Sequence, residues 1–219
     1  MRRIKEPELM DDAEQARAYA EADFAEVNAV FADRLCALVP PGTPRVALDL
    51  GTGPAEIPIR VMRQRPGWRV VAVDISHAML SLARGFIHEA GFAEAIHLVI
   101  QDAKAMPFAA ASFDVVFSNS ILHHITATAR LWAEVKRVAK PGAHVLIRDL
   151  ARPATPRDAA GIVGRYAAHE SALLREEFYR SLLSAYTPEE VRDQLAQAGL
   201  AHLEVAMVSD RHLDVFGRI

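Results

Sequence analysis

Apolar positions recur at helical spacing near the start of the chain: Leu9, Ala16, Tyr19, Phe24, Val27, Val30, Phe31 and Leu35. That periodicity predicts one or two helices over residues 8–39. "PPGTP" (Pro40 to Pro44) ends them. Short apolar runs then alternate with amphipathic stretches. "RVALDL" reads as a first strand, and "AEIPIRVMRQR" as its helix with Pro54 just inside the start. "WRVVAVDI" is a second strand. "SHAMLSLARGFIHEAG" is a helix with Ser76 as N-cap and Gly91 past its end. "IHLVIQD" is a third strand and "FDVVFSN" a fourth. "TATARLWAEVKRVAKPGA" holds the next helix, ending at the Pro141-Gly142 turn, and "HVLIRDL" is a fifth strand.

Strands one, two and five are nearly unbroken apolar runs, as in a parallel sheet covered on both faces. After Leu150 the rhythm changes. "ARPATPRDAAG" reads as a Pro/Arg-rich connection, followed by a long helical stretch broken once. "TPEEVRDQLAQAGL" carries a full set of helix signals: Thr187 as N-cap, Pro188 first, Glu190 completing a capping box, Gly199 at the end. "AHLEVAMV" and "HLDVFGRI" alternate polar and apolar residues around "SDR", which predicts a terminal antiparallel hairpin. The expected fold is α/β: a doubly wound, mostly parallel seven-stranded sheet with helices on both faces. One domain covers 1–219. It divides into an N-terminal helical lid (1–40), a core (45–150), an insertion (151–186), and a C-terminal helix with hairpin (187–219).

Composition narrows the partners. The chain has 219 residues, 51% hydrophobic and 24% charged, with formal charge −3. No net basic field argues for nucleic acid. The first residues carry arginines but no apolar segment behind them, unlike a secretory signal. No apolar run approaches the roughly 20 residues that span a bilayer. A single cysteine, Cys36, excludes an internal disulfide and a thiolate metal cluster, and its helical setting makes it a core thiol. A cytoplasmic protein without membrane insertion is expected. Oligomeric state is not legible.

The glycine turn after the first strand decides the ligand class. A dinucleotide turn reads G-x-G-x-x-G and places backbone N–H groups on a pyrophosphate. Here Gly51-Thr52-Gly53-Pro54-Ala55-Glu56 puts Glu56 at the third glycine's place, and Pro54 removes a donor. Asp49, just before the turn, favours a cation. Asp74, ending the second strand, suits the two hydroxyls of a ribose. Asp102, ending the third, suits an adenine amino group, with Ala103 offering a backbone N–H. Ile75, Met79 and Met106 are apolar candidates for the base faces. The set describes a nucleoside with a cationic extension and no phosphate, as in S-adenosylmethionine. It disfavours NAD and hence a dehydrogenase.

With those residues in view, the chain resembles the class I S-adenosylmethionine-dependent methyltransferases. "LDLGTGPAE" is similar to their first motif, with Ala55 at the usual third glycine. "VDIS" is similar to their ribose acid segment and "QDAKAMPF" to their adenine segment. "FDVVFSNSILHHI" is similar to the fourth-strand segment that closes over the methionine and methyl group. "EVKRVAKPGAHVLIRDL" is similar to the helix, turn and fifth strand. The resemblance runs over Val46 to Leu150 and again through "YTPEEVRDQLAQAGL". It implies a methyltransferase with S-adenosyl-L-methionine as cofactor and S-adenosyl-L-homocysteine as product. Its cofactor residues are Asp49, Gly51, Thr52, Gly53, Pro54, Asp74, Ile75, Met79, Asp102, Ala103, Ser118 and Asn119.

His123 and His124 follow the fourth strand, where the family's methyl group sits, and are candidates to orient an acceptor or take a proton. No partner in the sequence makes them a metal site. Tyr19, Asp23 and Phe24 fall on the lid. Asp149 and Arg152 end the fifth strand, and Tyr166 and Tyr186 lie in the insertion where the family builds its substrate cover. "SNSILHH" stands where amino-methylating enzymes of nucleic-acid bases carry an N/D-P-P-Y type motif. The fourth strand and the "TPEEV" tail look most like small-molecule enzymes of the ubiquinone/menaquinone-biosynthesis type. One cysteine is too few for an arsenite acceptor. Two other readings stay open. An RNA or protein methyltransferase would show a basic surface from Arg152, Arg157, Arg165 and Arg175. A non-catalytic S-adenosylmethionine-binding protein would lack room for an acceptor.

Overall fold

A computed structural model of the chain describes residues 1–6, 13–22, 24–42 and 45–219. Strands β1 (Val46–Leu50), β2 (Arg69–Asp74), β3 (Ile96–Ile100), β4 (Phe113–Asn119), β5 (Ala139–Leu150), β6 (Glu204–Met207) and β7 (His212–Arg218) form one sheet. Their order is β3-β2-β1-β4-β5-β7-β6. β1 pairs in parallel with both β2 and β4. The chain therefore reverses its direction across the sheet between β3 and β4. The crevice at the carboxyl ends of β1 and β4 is the switch point where doubly wound sheets take ligands. β7 runs antiparallel to β5 and β6, as the hairpin pattern predicts.

The helices are α1 (Ala13–Glu21), α2 (Ala25–Leu38), α3 (Glu56–Gln64), α4 (His77–Glu89), α5 (Thr128–Val138), α6 (Pro156–Tyr166), α7 (Ala172–Ser184) and α8 (Pro188–Gln197). Successive strand residues face opposite ways, which explains the unbroken apolar runs. Leu48, Val116, Val145 and Ile147 pack on one side with Trp132 of α5 and Leu195 of α8. Ala47, Val115, Phe117 and Leu146 pack on the other with Phe31 and Cys36 of α2 and Met62 of α3. α6 and α7 build a smaller cluster with Leu150 through Ile162, Val163, Leu182 and Leu183. A buried ion cluster ties α2 to the sheet: Asp214 on β7 accepts from Arg148 at 2.6 and 2.9 Å and pairs with Arg34 at 2.5 Å. No helix among the described residues is long and apolar enough to cross a membrane.

The local signals hold at α4, where Ser76 accepts from the Met79 N–H, and at α8, where Thr187 and Glu190 form the full capping box. Four details differ from the sequence reading. α3 starts at Glu56, not Pro54: Ala55 is the N-cap, in the left-handed region at φ 65°, and Pro58 occupies the first turn instead. The stretch taken as a connection after Leu150 already contains α6, because Thr155 and Asp158 form a second capping box around Pro156. β5 starts at Ala139, so Pro141-Gly142 lies within the strand. Gly142 has φ 80°, and the β4–β5 register shifts nearby. On α2, Val30 of the predicted apolar stripe is exposed while polar Asn28 is buried. Leu9 and Asp23 lie outside the described residues.

Candidate functional site

The turn after β1 is built from its own donors. The N–H groups of Gly51 and Thr52 both reach Val73 O at 2.9 Å, and the Ala55 N–H reaches Thr52 O. The Gly53 N–H donates to Asp74 Oδ2 at 2.8 Å. Pro54 and Pro58 have no N–H to give. A pyrophosphate would compete for those donors, so the turn disfavours a dinucleotide for a reason beyond charge. Gly51 is required on two counts: its φ is +69°, and a Cβ there would stand 2.8 Å from Ile121 Cδ1 and 3.1 Å from Ile121 Cβ.

Beside the turn lies a cleft lined by Tyr19 and Phe24, Asn28 of α2, Asp49, Glu56 and Asn119. Asp49 Oδ2 and Thr52 Oγ1 are buried there with no hydrogen-bond partner. A buried, unpaired carboxylate oxygen is costly. Burial pushes the Asp49 carboxyl up to about 7, Thr52 opposing and Asp74 adding to the rise. The unpartnered oxygen, when ionised, is a place for a cation. Asn28 Nδ2 donates to Glu56 Oε2 at 2.7 Å, and Asn119 Nδ2 to Asn28 Oδ1 at 3.4 Å, so α2 closes the cleft. The Tyr19 and Phe24 rings meet at 4.9 Å. Burial, with Glu56 and Asp74 nearby, pushes the Tyr19 phenol up to about 12.

Asp74 Oδ1 also accepts the Ser76 N–H at 2.9 Å. These backbone bonds aim the carboxylate. Asp102 accepts from the Lys104 N–H at 2.8 Å and pairs with Lys104 Nζ at 3.0 Å. Ala103, Met79 and Met106 are buried, while Ile75 is exposed beside Asp74. Ser118 stands inside the wall rather than on it: its hydroxyl is fully buried and donates to Leu50 O at 2.6 Å.

A second polar cluster follows β4. Asp149 at the end of β5 accepts from the Leu122, His123 and Leu150 N–H groups and contacts His123 Nδ1 at 2.6 Å. An ionised carboxylate only accepts, so Nδ1 carries the proton. Burial disfavours the His123 imidazolium, but Asp149 and Glu6 outweigh it and raise the ring's pKa. Glu6 Oε1 lies 3.4 Å from His123 Nε2 and 3.3 Å from His124 Nδ1. Burial raises the Glu6 carboxyl in turn. The sequence offered the histidines no such partner, and the fold supplies one from the far end of the chain. Arg3 holds that arm in place: it stacks 4.1 Å over the Tyr186 ring and donates to His123 O at 2.7 Å, while the Ile4 N–H reaches Leu183 O.

The other expected substrate residues separate. Tyr186 roofs this cluster and donates to Ile125 O at 2.7 Å. Arg152 does not face a pocket mouth: its guanidinium donates to Ala185 O and Glu190 Oε1, clamping β5 to α8. Tyr166 lies elsewhere, exposed, bonding Asp210 Oδ2 beneath Arg211. Asn28 and Glu6 were missed. Asn28 had a signal, a polar residue on an apolar helix face. Glu6 had none.

Residues 48–147 match the methyltransferase domain family. Within this segment the chain resembles the class I S-adenosylmethionine-dependent methyltransferases. The chain is 36% identical over 95 residues to a malonyl-[acyl-carrier protein] O-methyltransferase of Legionella pneumophila, covering 43% of this chain and 32% of that protein. It is 27% identical over 168 residues to a ubiquinone/menaquinone biosynthesis C-methyltransferase of Hahella chejuensis, covering 70% and 66%. The chain thus spans 32% and 66% of these relatives' lengths. A solved S-adenosylmethionine-dependent methyltransferase of Aquifex aeolicus shares the methyltransferase fold at TM-score 0.71 and 17% identity, covering 95% of this chain and 98% of that one. A phosphoethanolamine N-methyltransferase of Haemonchus contortus, solved with S-adenosylmethionine, aligns at TM-score 0.69 and 22% identity, over 90% and 44%. An ammonium, such as a methyltransferase cofactor's, would find a partner in the orphaned Asp49 oxygen.

Proposed function

We propose that this protein transfers a methyl group from S-adenosylmethionine to a small-molecule acceptor. The observation that carries the reading is the polar cluster of Glu6, His123 and His124, its two histidines lying in the loop that follows the cleft-lining Asn119. When bound, the cofactor supplies a methyl group on a sulfonium, a leaving group that needs little help from the protein. The chain's part is to place the acceptor and exclude water. Asp49 would hold the cofactor's ammonium, Asp74 its ribose and Asp102 its adenine amino group, with Ile75 and Met79 against the base. Tyr19 and Phe24 would close the cleft as a lid. Tyr186 and α7 would cover the acceptor, whose polar atoms meet His123 and His124.

A macromolecular acceptor has less support. Of the arginines that would form a basic surface, Arg152 is paired with Glu190 and Arg165 with Asp210. The relatives' names include a carbon acceptor and an oxygen acceptor, the latter a malonyl group borne on an acyl-carrier protein, which leaves the acceptor atom open. A cytoplasmic setting goes with this reading. The test is label transfer from methyl-labelled cofactor into a cell extract separated into low-mass, RNA and protein fractions. The reading expects label in the low-mass fraction, lost on boiling the enzyme. Label in RNA or protein alone, or none anywhere, would overturn it.

A further inference from the structure

Glu6, His123 and His124 present three donor atoms within 4.8 Å of one another: one carboxylate oxygen and two imidazole nitrogens. We propose that they bind one divalent transition-metal ion, of the zinc or ferrous class, beside the cofactor cleft. Two imidazoles and one carboxylate, with positions left open, are a donor set for such ions. Magnesium and calcium prefer oxygen alone.

The separations favour an ion over direct pairing. Donors at about 2.0–2.1 Å from a tetrahedral ion stand roughly 3.4 Å apart. Glu6 Oε1 is 3.4 Å from His123 Nε2 and 3.3 Å from His124 Nδ1. A charge-assisted hydrogen bond would be shorter, about 2.7–2.9 Å. The two rings lie side by side, centroids 4.2 Å apart and tilted by 36°, with both nitrogens turned to one oxygen.

The supporting contacts are those that metal ligands need. A ligating histidine almost always donates its other ring N–H to a carboxylate or carbonyl. His123 does so through Nδ1 to Asp149 at 2.6 Å. Ser181 Oγ donates to Glu6 Oε1 at 3.2 Å and fixes that carboxylate. The Glu6 and His123 side chains are only 8% and 4% exposed, and His124 is 22% exposed. Two carboxylates, Glu6 and Asp149, face the place. The nearby cation is Arg3, which is directed at the carbonyls of His123 and Ser184. On the reading above, an acceptor oxygen or nitrogen would complete the shell. That use rests on the methyl-transfer reading, whereas binding of the ion does not.

The test uses the full chain after chelator treatment. It is titrated with Zn²⁺, Co²⁺ and Mg²⁺, with S-adenosylhomocysteine binding as the control for folding and for the cofactor site. The expected result is one Zn²⁺ per chain at micromolar or tighter affinity, Co²⁺ visible bands displaced by Zn²⁺, and no competition from millimolar Mg²⁺. Glu6→Gln and His124→Ala should each weaken the ion by at least about tenfold, with S-adenosylhomocysteine affinity kept. If one variant also loses S-adenosylhomocysteine, the other decides. Absence of stoichiometric Zn²⁺ binding, or binding unchanged in both variants, would overturn the proposal. Failure of S-adenosylhomocysteine to bind the unmodified chain would instead count against the cofactor site.

Discussion

Lowering the pH from 8 to 6 should weaken S-adenosylhomocysteine binding about tenfold. The group responsible is Asp49, whose carboxyl burial pushes up to about 7. The titratable groups that face it are Asp74 from β2, Glu56 from α3 and the Tyr19 phenol. The phenol stays neutral because burial pushes it up to about 12. Arg60, the nearest cation of α3, is engaged by Glu56 at 2.6 Å. A ligand ammonium therefore meets an acidic pocket, but only if Asp49 is ionised. The sign follows: affinity is full above pH 7 and falls as protons occupy the carboxylate. The apparent dissociation constant rises by one plus ten to the power of pKa minus pH. That factor is about 1.1 at pH 8 and about 11 at pH 6, a difference of about 1.4 kcal/mol. Isothermal calorimetry of S-adenosylhomocysteine from pH 6 to 8.5 reads it directly. Asp49→Asn should bind weakly at every pH and lose the slope. A flat profile in the unmodified protein, or the same slope in Asp49→Asn, would refute the assignment.

Three further outcomes follow from the same geometry. Gly51→Ala should cost about 2 kcal/mol in urea unfolding and more than tenfold in S-adenosylhomocysteine affinity, since the new Cβ meets Ile121 at a left-handed backbone position. Gly53→Ala, with φ +53° but open space, should cost only about 1 kcal/mol. Asp214→Asn should cost about 3–5 kcal/mol, because it leaves Arg148 and Arg34 against a neutral group; a loss under 1 kcal/mol would mean the cluster is open to water. Burial, with Arg211 and Arg148, lowers the His212 ring to about 4. Its folded value lies below its unfolded one, so its share of stability is complete above about pH 6.5 and is lost as pH falls towards 4. That share is at most about 3 kcal/mol, less for solvent screening. Urea midpoints of His212→Gln should fall less steeply over that range than those of the unmodified chain, and equal slopes would reject the cause.

The core of the fold was legible because the strands are buried on both faces. Leu48 and Ala47, or Val116 and Phe117, serve opposite clusters, so apolar residues run without a break. The capping box of α8 was read from Thr187 and Glu190. The same device at Thr155 and Asp158 was overlooked because proline and arginine around it suggested a connection. The cleft residues were legible as strand ends. The direction of a long side chain was not: Arg152 and Tyr166 occupy expected segments but spend their polar atoms on Glu190 and Asp210. Glu6 was illegible for a different reason. Its contacts join the two ends of a fold, and no periodicity in its own segment reports them.

We propose that the turn at Gly51 to Glu56 holds S-adenosylmethionine and not a dinucleotide. Calorimetric titration of the purified protein with S-adenosylmethionine, S-adenosylhomocysteine and NAD tests it most directly. The account predicts micromolar binding of the first two, weakened more than tenfold by Asp74→Asn, and no binding of NAD. Binding of NAD alone would contradict it.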